Sequence, residues 1–377
     1  MINLSQYFTK IKGELYKNIS LAPLTWFKVG GPAEYLFIPK NKEDLIAFLK
    51  QYPAEQPKTI IGAGSWGSAL AIALSDKFDQ IFLITKNKSA IDSLANQHWA
   101  LSVPFGKNIS LTDNFNVIDK SSAVLIATPS SSFNSVLDSI LPYLNMKPIA
   151  WATKGLDPHT GGLLHETFSQ KLPNYHPCII SGPTFAAEIA EKKPAAIVVA
   201  SMDEGTRELW ANIIQTKTLR AYTNPDIVGV QVGGSVKNIL AIAAGIANGL
   251  GFGANTQAAL ITRGLAEMTR LGVALGAEKI TFQGLSGMGD LILTCSDDLS
   301  RNRRFGKELA NNINAEKALK NINATVEGFS ALKLVIDSAN QLKIEMPICE
   351  QVMLVTQGIK TPIDAVNELL LRKTNQE

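Results

Sequence analysis

The chain has 377 residues, of which 46% are hydrophobic and 18% are charged. It is therefore long enough for two or three domains and too apolar for a mostly disordered or fibrous protein. Its 36 Lys and Arg residues nearly balance its 33 Asp and Glu residues, for a net charge of +3, which argues against a nucleic-acid partner.

Short apolar pieces alternate with turn residues in the first segment of the chain. Met1–Tyr16 has no apolar run, so we predict no signal peptide. Two strands are predicted at Thr25–Val29 and Glu34–Ile38, on either side of a Gly-Gly-Pro turn. Asn41 then caps a helix that ends near Pro53. The segment from residue 1 to 56 is therefore predicted to be a short α+β extension.

A glycine-rich loop follows the next strand, Lys58–Ile61. Gly62, Gly64 and Gly67 form a Gly-x-Gly-x-x-Gly motif that opens an apolar helix at Ser68–Leu74. The first glycine permits a tight turn, the second lets the backbone approach a pyrophosphate, and the third lets helix and strand pack closely. The pattern predicts a dinucleotide site, with a glycine turn that serves packing alone as the alternative.

The end of the second strand, Ile81–Ile84, indicates which cofactor is accepted. Sites that prefer NAD place an acidic residue there to hold the ribose 2′-hydroxyl, whereas this chain continues with Thr-Lys-Asn-Lys. Lys86 can pair with a 2′-phosphate, unless it is a solvated lysine at a strand end. We therefore predict that NADP is accepted at least as well as NAD.

Further apolar runs alternate with helical segments and predict a doubly wound parallel α/β sheet. These strands are predicted at residues 123–127, 148–152, 178–180 and 195–200. From about Pro225 the strand signals stop and helices follow, joined by glycine-rich segments at 249–253 and 284–289. The uncharged stretch Asn238–Thr262 has too short an apolar core to span a bilayer, which predicts a buried helix and no membrane span.

This pattern divides the chain into three parts. The N-terminal extension takes residues 1–56, a Rossmann-type NAD(P)-binding domain takes residues 57–224, and an all-α substrate-binding domain takes residues 225–377. A ligand cleft is expected between the last two parts. The three cysteines are widely spaced and odd in number, so they predict neither a metal site nor a disulfide framework and fit a reducing cytoplasm.

Two lysines lie where a ligand would bind. Lys154 directly follows a strand, at the carboxyl edge of the predicted sheet, where ligands bind in this architecture. The turn Ser181–Ala186 follows a later strand at the same edge and can present backbone N–H groups. Lys237 precedes a long apolar stretch, and desolvation would make it an acid or base near neutral pH. The alternatives are a surface lysine, an ordinary Pro-Gly turn and a lysine that snorkels to solvent.

Polar residues also follow in the helical part. Asp290 ends the glycine-rich turn 284–289, where an Asx-turn is the simpler interpretation. Arg301, Arg303 and Arg304 cannot share one helix face, so one or two of them can enter the cleft and hold a phosphate, or the run is solvated. The four histidines show no metal-ligand spacing, and no metal is predicted.

With these residues assembled, residues 58 to about 372 resemble the bacterial NAD(P)-dependent sn-glycerol-3-phosphate dehydrogenases. The resemblance rests on the segments 61–67, 152–156, 181–186, 233–238, 260–264, 287–291, 300–306 and 326–328. It implies reversible reduction of dihydroxyacetone phosphate to sn-glycerol 3-phosphate, the precursor of phospholipids.

The resemblance also implies roles for individual residues. Lys237 would donate the proton to the carbonyl oxygen or accept it in reverse, and Lys154 would polarise the carbonyl and touch both ligands. The remaining substrate contacts would be Gly182, Thr184, Asp290, Ser300, Arg301 and Asn302. The remaining cofactor contacts would be Ser65, Trp66, Lys86, Ala186, Arg301 and Glu327, beside the loop glycines.

The first 56 residues look like part of a different family, the FAD-dependent UDP-N-acetylenolpyruvoylglucosamine reductases. That likeness rests on Asn18–Leu21, Thr25–Ala33 and Pro39–Asn41 leading into Asp44-Leu45. The flavin loop and catalytic part of the reductase are absent from the sequence, so we expect a fusion remnant that does not bind FAD.

Two other functions are compatible with the residues. One is a related two-domain dehydrogenase of another small hydroxy acid or phosphate, which the arginine run and the segment 233–238 argue against. The other is a non-catalytic dinucleotide-binding sensor, which the presence of Lys154, Lys237 and Asp290 argues against. The sequence leaves the oligomeric state open, with a homodimer as the candidate.

Overall fold

A computed structural model of the chain describes residues 12–20, 24, 32–51, 56–86, 91 and 101–371. The chain forms two separate compact units, Met1–Gln56 and Pro57–Glu377. The strand predicted at Thr25–Val29 lies outside the described residues, as does most of the Gly-Gly-Pro turn that follows it.

The first unit contains a two-stranded sheet and a helix. Strand β1 (Glu14–Ser20), which was not predicted, pairs antiparallel with β2 (Pro32–Ile38). Helix α1 (Lys42–Gln51) begins at the predicted cap, because the Asn41 side chain accepts a hydrogen bond from the Asp44 amide over 2.8 Å.

An eight-stranded sheet dominates the first half of the second unit. Its strands are β3 (Lys58–Ile61), β4 (Ile81–Ile84), β5 (Ile109–Thr112), β6 (Ala123–Ile126), β7 (Ile149–Trp151), β8 (Ile179–Ser181), β9 (Ala195–Ala200) and β10 (Leu219–Asn224). They lie in the order β10-β9-β8-β7-β6-β3-β4-β5. The order reverses between β3 and β6, where doubly wound sheets bind ligands at the carboxyl ends of their strands.

The predicted Rossmann-type fold is confirmed, but the sheet is not wholly parallel. Strand β9 runs antiparallel to β8, and β10 runs parallel to β9. These last two strands therefore point opposite to the other six. The reversal at this edge was not predicted, because an apolar run such as 195–200 does not encode the direction of its strand.

Helices cover both faces of the sheet. They are α2 (Ser65–Leu74), α3 (Ser130–Ile140), α4 (Leu164–Lys171), α5 (Ala186–Ala190) and α6 (Glu204–Ile214), with 3-10 turns at Phe115–Lys120 and Leu141–Tyr143. One core contains Leu70, Leu83 and Trp210, and the other contains Phe133, Trp151 and Phe168. The sheet therefore has a buried apolar layer on each side.

Every described element after β10 is helical, as predicted. The elements are α7 (Ile227–Gly249), α8 (Ala254–Ala274), a 3-10 turn (Lys279–Gln283), a π turn (Leu285–Gly289), α9 (Asp290–Ser296), α10 (Arg301–Ala310), α11 (Ala315–Ile322), α12 (Glu327–Gln341), α13 (Pro347–Thr356) and α14 (Pro362–Leu371). Helix α7 is the axis of this part, and α8, α9, α10, α12 and α13 pack around it.

The length of α7 and its apolar composition would suffice to cross a membrane. However, 94% of its most apolar window is buried inside the protein. Its side chains form the centre of the helical core with residues such as Met268, Phe305 and Val335. The helix is thus accounted for as a core element. The predicted buried helix at 238–262 is confirmed only for residues 238–247, because α7 ends at Gly249 and the rest of the stretch forms a turn and the exposed or half-buried start of α8.

Candidate active site

The predicted glycine loop lies between β3 and α2. Gly62 has φ +112°, a conformation that favours glycine, and a Cβ on it would lie 2.6 Å from the Ala127 carbonyl oxygen. A Cβ on Gly67 would collide with the Gly62 carbonyl. A Cβ on Gly64 would meet nothing within 4 Å. The first and third glycines are thus required by packing, while the second leaves open space above the loop.

The start of α2 is suited to an anion. Gly64 occupies the N-cap without a side-chain hydrogen bond, and the first turn carries no acidic residue. Its amide groups and the positive end of the helix dipole are therefore available to a phosphate. Ser65 and Trp66 belong to this turn, and the buried indole N–H of Trp66 has no partner within the described chain. These features fit the pyrophosphate of a dinucleotide.

The other predicted cofactor contacts lie on three different elements. Lys86 is exposed just beyond the end of β4, and Ala186 is the first residue of α5, which packs on α2. Glu327 is the first residue of α12, in the helical part. No described contact joins Lys86 to the loop glycines.

Lys154 follows β7 at the carboxyl edge of the sheet. The hydroxyl of Thr153 donates a hydrogen bond to the Thr128 carbonyl over 2.7 Å, and the Gly155 amide donates to Ser235 over 3.1 Å. The two bonds anchor the residues on each side of Lys154 to the loop after β6 and to α7. The 13%-exposed side chain of Lys154 therefore extends from a fixed base.

Lys237 reaches the same place from α7. Its side chain is almost wholly buried and donates hydrogen bonds to Oδ1 of Asp290 and, over 2.9 Å, to the hydroxyl of Thr294. That hydroxyl donates its own hydrogen to the Asp290 carbonyl over 2.6 Å. An ammonium group has three N–H bonds, so two are held by the protein and one is left for a ligand.

The fully buried carboxylate of Asp290 joins the two lysines. Its Oδ2 lies 3.0 Å from Lys154 Nζ, while its Oδ1 accepts from Lys237. The simpler interpretation of Asp290 as an Asx-turn residue therefore does not account for its contacts with the two lysines. One carboxylate held between two ammonium groups leaves a net positive charge in the cleft, which suits an anionic ligand.

The two lysines differ in acidity. Burial lowers the pKa of Lys237 to about 8; attraction to Asp290 opposes this shift and repulsion from Lys154 reinforces it. Burial also disfavours the charge on Lys154, but attraction to Asp290 and Glu327 outweighs it and raises the pKa of Lys154. Lys237 is thus suited to exchange a proton near neutral pH, while Lys154 stays charged.

The turn after β8 borders this cluster. Gly182 has φ +143°, and Thr184 donates a hydrogen bond to its carbonyl over 3.3 Å. A Cβ on Gly234 of α7 would lie 3.1 Å from the Ser181 hydroxyl and 3.7 Å from Cγ of Lys154. Because Gly234 has no side chain, the turn after β8 and the Lys154 side chain can pack closely against α7.

Amide side chains connect α7, α10 and α12. Asn302 donates to Oδ1 of Asn238 over 2.9 Å and accepts from the Gly328 amide over 2.9 Å. Asn238 in turn donates to Glu327 over 3.3 Å. The predicted contacts Asn302 and Glu327 are thus tied to the residue that follows Lys237.

The three arginines separate, as their spacing predicted. Arg303 is buried and pairs with Asp298, Arg304 is exposed, and Arg301 is half-buried at the start of α10. Ser300 caps this helix and accepts from the Arg303 amide over 3.2 Å. Arg301 makes no hydrogen bond or ion pair to the described residues, which leaves it available to a ligand.

Sequence reasoning missed two contributors to the cluster. Thr294 holds Lys237, and Ser235 holds the backbone beside Lys154. Thr294 lies one helical turn after Asp290, so the spacing was a usable signal once α9 was recognised. Ser235 carried no comparable signal.

Comparison with known proteins identifies relatives that span nearly the whole second unit. The family described as NAD-dependent glycerol-3-phosphate dehydrogenase matches with its N-terminus at residues 58–207 and with its C-terminus at residues 226–367. Two proteins named glycerol-3-phosphate dehydrogenase, NAD(P)+, are 56% identical to the chain. The one from Vesicomyosocius okutanii aligns over 319 residues, 84% of this chain and 98% of its own length. The one from Ruthia magnifica aligns over 320 residues, or 85% and 98%.

A solved structure agrees with these matches. The crystal structure of glycerol-3-phosphate dehydrogenase from Coxiella burnetii is 38% identical, with a TM-score of 0.81. The match covers 85% of this chain and all of that one.

Proposed function

The chain belongs to the NAD-dependent glycerol-3-phosphate dehydrogenase family, and we propose that the cleft around Lys237 is where it carries out that reaction. The reaction is the reversible NAD(P)-dependent reduction of dihydroxyacetone phosphate to sn-glycerol 3-phosphate, which supplies glycerophospholipid synthesis. The observation that carries the assignment of the site is the buried group formed by Lys154, Asp290 and Lys237.

Lys237 is the proton donor in the reduction. Its third N–H is not used by Asp290 or Thr294 and is the one that meets the carbonyl oxygen of the substrate. The lowered pKa of Lys237 eases loss of this proton to the developing alkoxide. In the reverse direction the neutral amine accepts the proton of the alcohol.

Lys154 stabilises charge. Because its pKa is raised, it remains an ammonium group throughout and polarises the substrate carbonyl. Asp290 fixes the separation of the two lysines and partly offsets the repulsion between their positive charges. These roles are supported by direct contacts, since both lysines share one buried carboxylate.

The substrate phosphate is held by groups around the cluster. Arg301 supplies an unpaired guanidinium, while Gly182, Thr184, Ser300 and Asn302 supply backbone and side-chain polar groups. Arg301 also reaches the cofactor. An arginine in the cleft suits a phosphate because its fork of N–H groups binds two oxygens at once.

The cofactor would be held by the glycine loop and the start of α2. Gly62, Gly64 and Gly67 shape the loop, and the side contacts come from Ser65, Trp66, Lys86, Ala186 and Glu327. When bound, the nicotinamide supplies or accepts the hydride. Lys86 favours NADP, because a lysine attracts the 2′-phosphate that an acidic residue at this position would repel.

The direct test is NADPH oxidation by dihydroxyacetone phosphate with the full chain. We expect turnover that saturates with substrate and far weaker turnover with hydroxy acids that lack a phosphate. Better turnover of another small keto acid would favour the related-dehydrogenase alternative. Tight NADPH binding without any turnover would favour the sensor.

We also propose the division of the chain into residues 1–56, 57–224 and 225–377, with a distinct origin for the first part. Met1–Gln56 is a compact unit by itself, and the family matches begin at residue 58. We infer that it is a remnant of an FAD-dependent UDP-N-acetylenolpyruvoylglucosamine reductase without flavin activity. An absorbance spectrum of the purified protein tests this, and bound FAD would refute it.

We propose that the protein is located in the cytoplasm and forms a homodimer. All three cysteines are buried free thiols, which suits a reducing compartment. The dimer is tested by light scattering, which should give twice the mass of one chain at micromolar concentration. A single-chain mass would reject it.

A further inference from the structure

A groove of about 730 Å³ lies in the helical part of the second unit. Four helices line it, α7, α8, α13 and α14, and neither Lys154 nor Lys237 belongs to its walls. This volume is typical of sites for small molecules, which are mostly apolar with a few polar groups. The groove has no role in the reaction proposed above.

The groove extends along α8, and its lining is mostly apolar. On α8 the lining residues recur every three or four positions from Thr256 to Arg270, which is a distance of about 21 Å at 1.5 Å per residue. Alanines such as Ala247, Ala259 and Ala365 leave the space open, and branched side chains flank them. A long, unbranched, apolar ligand fits this shape better than a compact ring does.

Cations dominate the polar part of the lining. Arg263, Arg270 and Lys343 border the groove, and none of them forms an ion pair with a described residue. The Arg270 guanidinium donates to the backbone carbonyl of Glu345 over 2.9 Å, which is a neutral acceptor, and its charge also attracts the Glu267 carboxylate.

Glu267, the buried acid of the groove, interacts more strongly with backbone amides than with Arg270. Glu267 accepts hydrogen bonds from the backbone amides of Ile348 over 2.7 Å and Cys349 over 3.3 Å. Its carboxylate is therefore engaged at the start of α13. Glu345 is the other acid in the lining, so three cations and two acids line the groove. Of the two acids, Glu267 is the one whose carboxylate binds backbone amides.

We propose that this groove binds an amphipathic anion with a single extended alkyl chain, such as a fatty carboxylate. The acidic head pairs with Arg263, Arg270 and Lys343, and the chain lies along the apolar lining. A cationic amphiphile with the same chain is rejected by the three positive charges. A short-chain acid carries the same charge but buries less apolar surface in the groove, so it should bind more weakly.

The test uses decanoate as the probe, with the full chain and isothermal titration calorimetry. We expect saturable binding of one decanoate per chain. Decyltrimethylammonium and hexanoate should each bind at least tenfold more weakly. Equal affinity for decanoate and decyltrimethylammonium would overturn the proposal, as would the absence of saturable decanoate binding.

Matched variants locate the binding site. Ala259→Trp fills the groove from an exposed helix position and should abolish decanoate binding, whereas Ala258→Trp, on the neighbouring exposed residue outside the lining, should not. The double substitution Arg270→Gln and Lys343→Gln should weaken decanoate binding at least tenfold, while Lys333→Gln, at an exposed position of α12, should not. Unchanged binding in Ala259→Trp would refute the location.

A second copy of the chain is the competing occupant. Because the three native cysteines are buried, Ala259→Cys provides one reactive thiol in the groove. We expect a maleimide to label it at the same rate at low and high protein concentration, and decanoate to slow the labelling. Protection that grows with protein concentration without decanoate would show that a second copy covers the groove and would reject the ligand.

Discussion

The hydroxyl of Thr294 accepts a hydrogen bond from the ammonium group of Lys237 over 2.9 Å, while its own hydrogen is donated to the Asp290 carbonyl. The second bond settles the direction of the first, because a hydroxyl has only one hydrogen to donate. Lys237 is thus oriented by two acceptors on α9. The charged form of Lys237 is favoured by both of them.

Replacing Thr294 by valine should slow the reaction while leaving substrate binding nearly unchanged. The variant keeps the shape and removes the acceptor of a charge-assisted hydrogen bond, worth about 1.5 to 3 kcal/mol. We expect kcat to fall roughly ten- to a hundredfold, measured as NADPH oxidation with dihydroxyacetone phosphate. Thr294→Ser retains the hydroxyl and should restore most of the rate. An unchanged kcat in the valine variant would mean that Thr294 does not position Lys237.

The pH dependence should differ between the two directions. A lysine whose pKa is lowered to about 8 is protonated below that pH and neutral above it. Reduction needs the proton donor, so its kcat should fall above pH 8, while oxidation needs the neutral amine, so its kcat should rise through pH 8. In Thr294→Val both breaks should move to lower pH, because the charged form loses an acceptor. Profiles without a break between pH 7 and 9 would argue against Lys237.

Lys86 should govern the choice between the two cofactors. We expect kcat/KM with NADP to equal or exceed the value with NAD. Lys86→Glu should lower kcat/KM for NADP at least tenfold and leave NAD nearly unaffected, because a carboxylate repels the 2′-phosphate and accepts from a ribose hydroxyl. Lys107→Glu makes the same charge change at another exposed lysine and should have no such effect. A strong NAD preference in the unmodified chain would contradict this expectation.

Glu267 should make the chain less stable as the pH rises. Burial raises its pKa from 4.5 to about 7, although the amides of Ile348 and Cys349 oppose the shift. The folded state therefore binds the proton more tightly than the unfolded chain. The contribution of Glu267 to the free energy of unfolding should be highest below pH 4.5 and fall by about 3 kcal/mol as the pH rises to about 7.

This loss of stability can be isolated with matched substitutions. Glu267→Gln cannot ionise, so urea unfolding between pH 5 and 8 should show a smaller decrease than in the unmodified chain. Glu278→Gln changes an exposed acid and should leave the decrease as it is. Parallel curves for Glu267→Gln and the unmodified chain would show that Glu267 does not carry the effect.

The sequence predicted the centre of the sheet better than its edges. Strands β6 and β7 are short, wholly apolar runs between turn residues, so their burial on both faces is visible in the chain itself. Strands β5 (Ile-Ser-Leu-Thr) and β10 (Leu-Arg-Ala-Tyr-Thr-Asn) mix polar and apolar residues because they are edge strands with exposed positions. They were missed for that reason.

The active-site cluster could be predicted only in part. The positions of Lys154 after a strand and of Lys237 beside an apolar stretch were visible locally. Their meeting at Asp290 joins residues 136 and 53 positions apart, and no local pattern encodes such a contact. Only the resemblance to a known family suggested that these three residues act together. The role of Arg303 could not be predicted either, because its ion pair with Asp298 is seen only in the structure.

The most direct measurement is the turnover of Lys237→Ala in NADPH oxidation by dihydroxyacetone phosphate, with NADPH affinity determined on the same sample. General acid catalysis contributes about a hundredfold to ten-thousandfold. We therefore predict that kcat falls by at least about two orders of magnitude while NADPH binding stays nearly intact, because Lys237 meets the substrate and not the glycine loop. Near-normal turnover in Lys237→Ala would contradict the role of Lys237 as the proton donor.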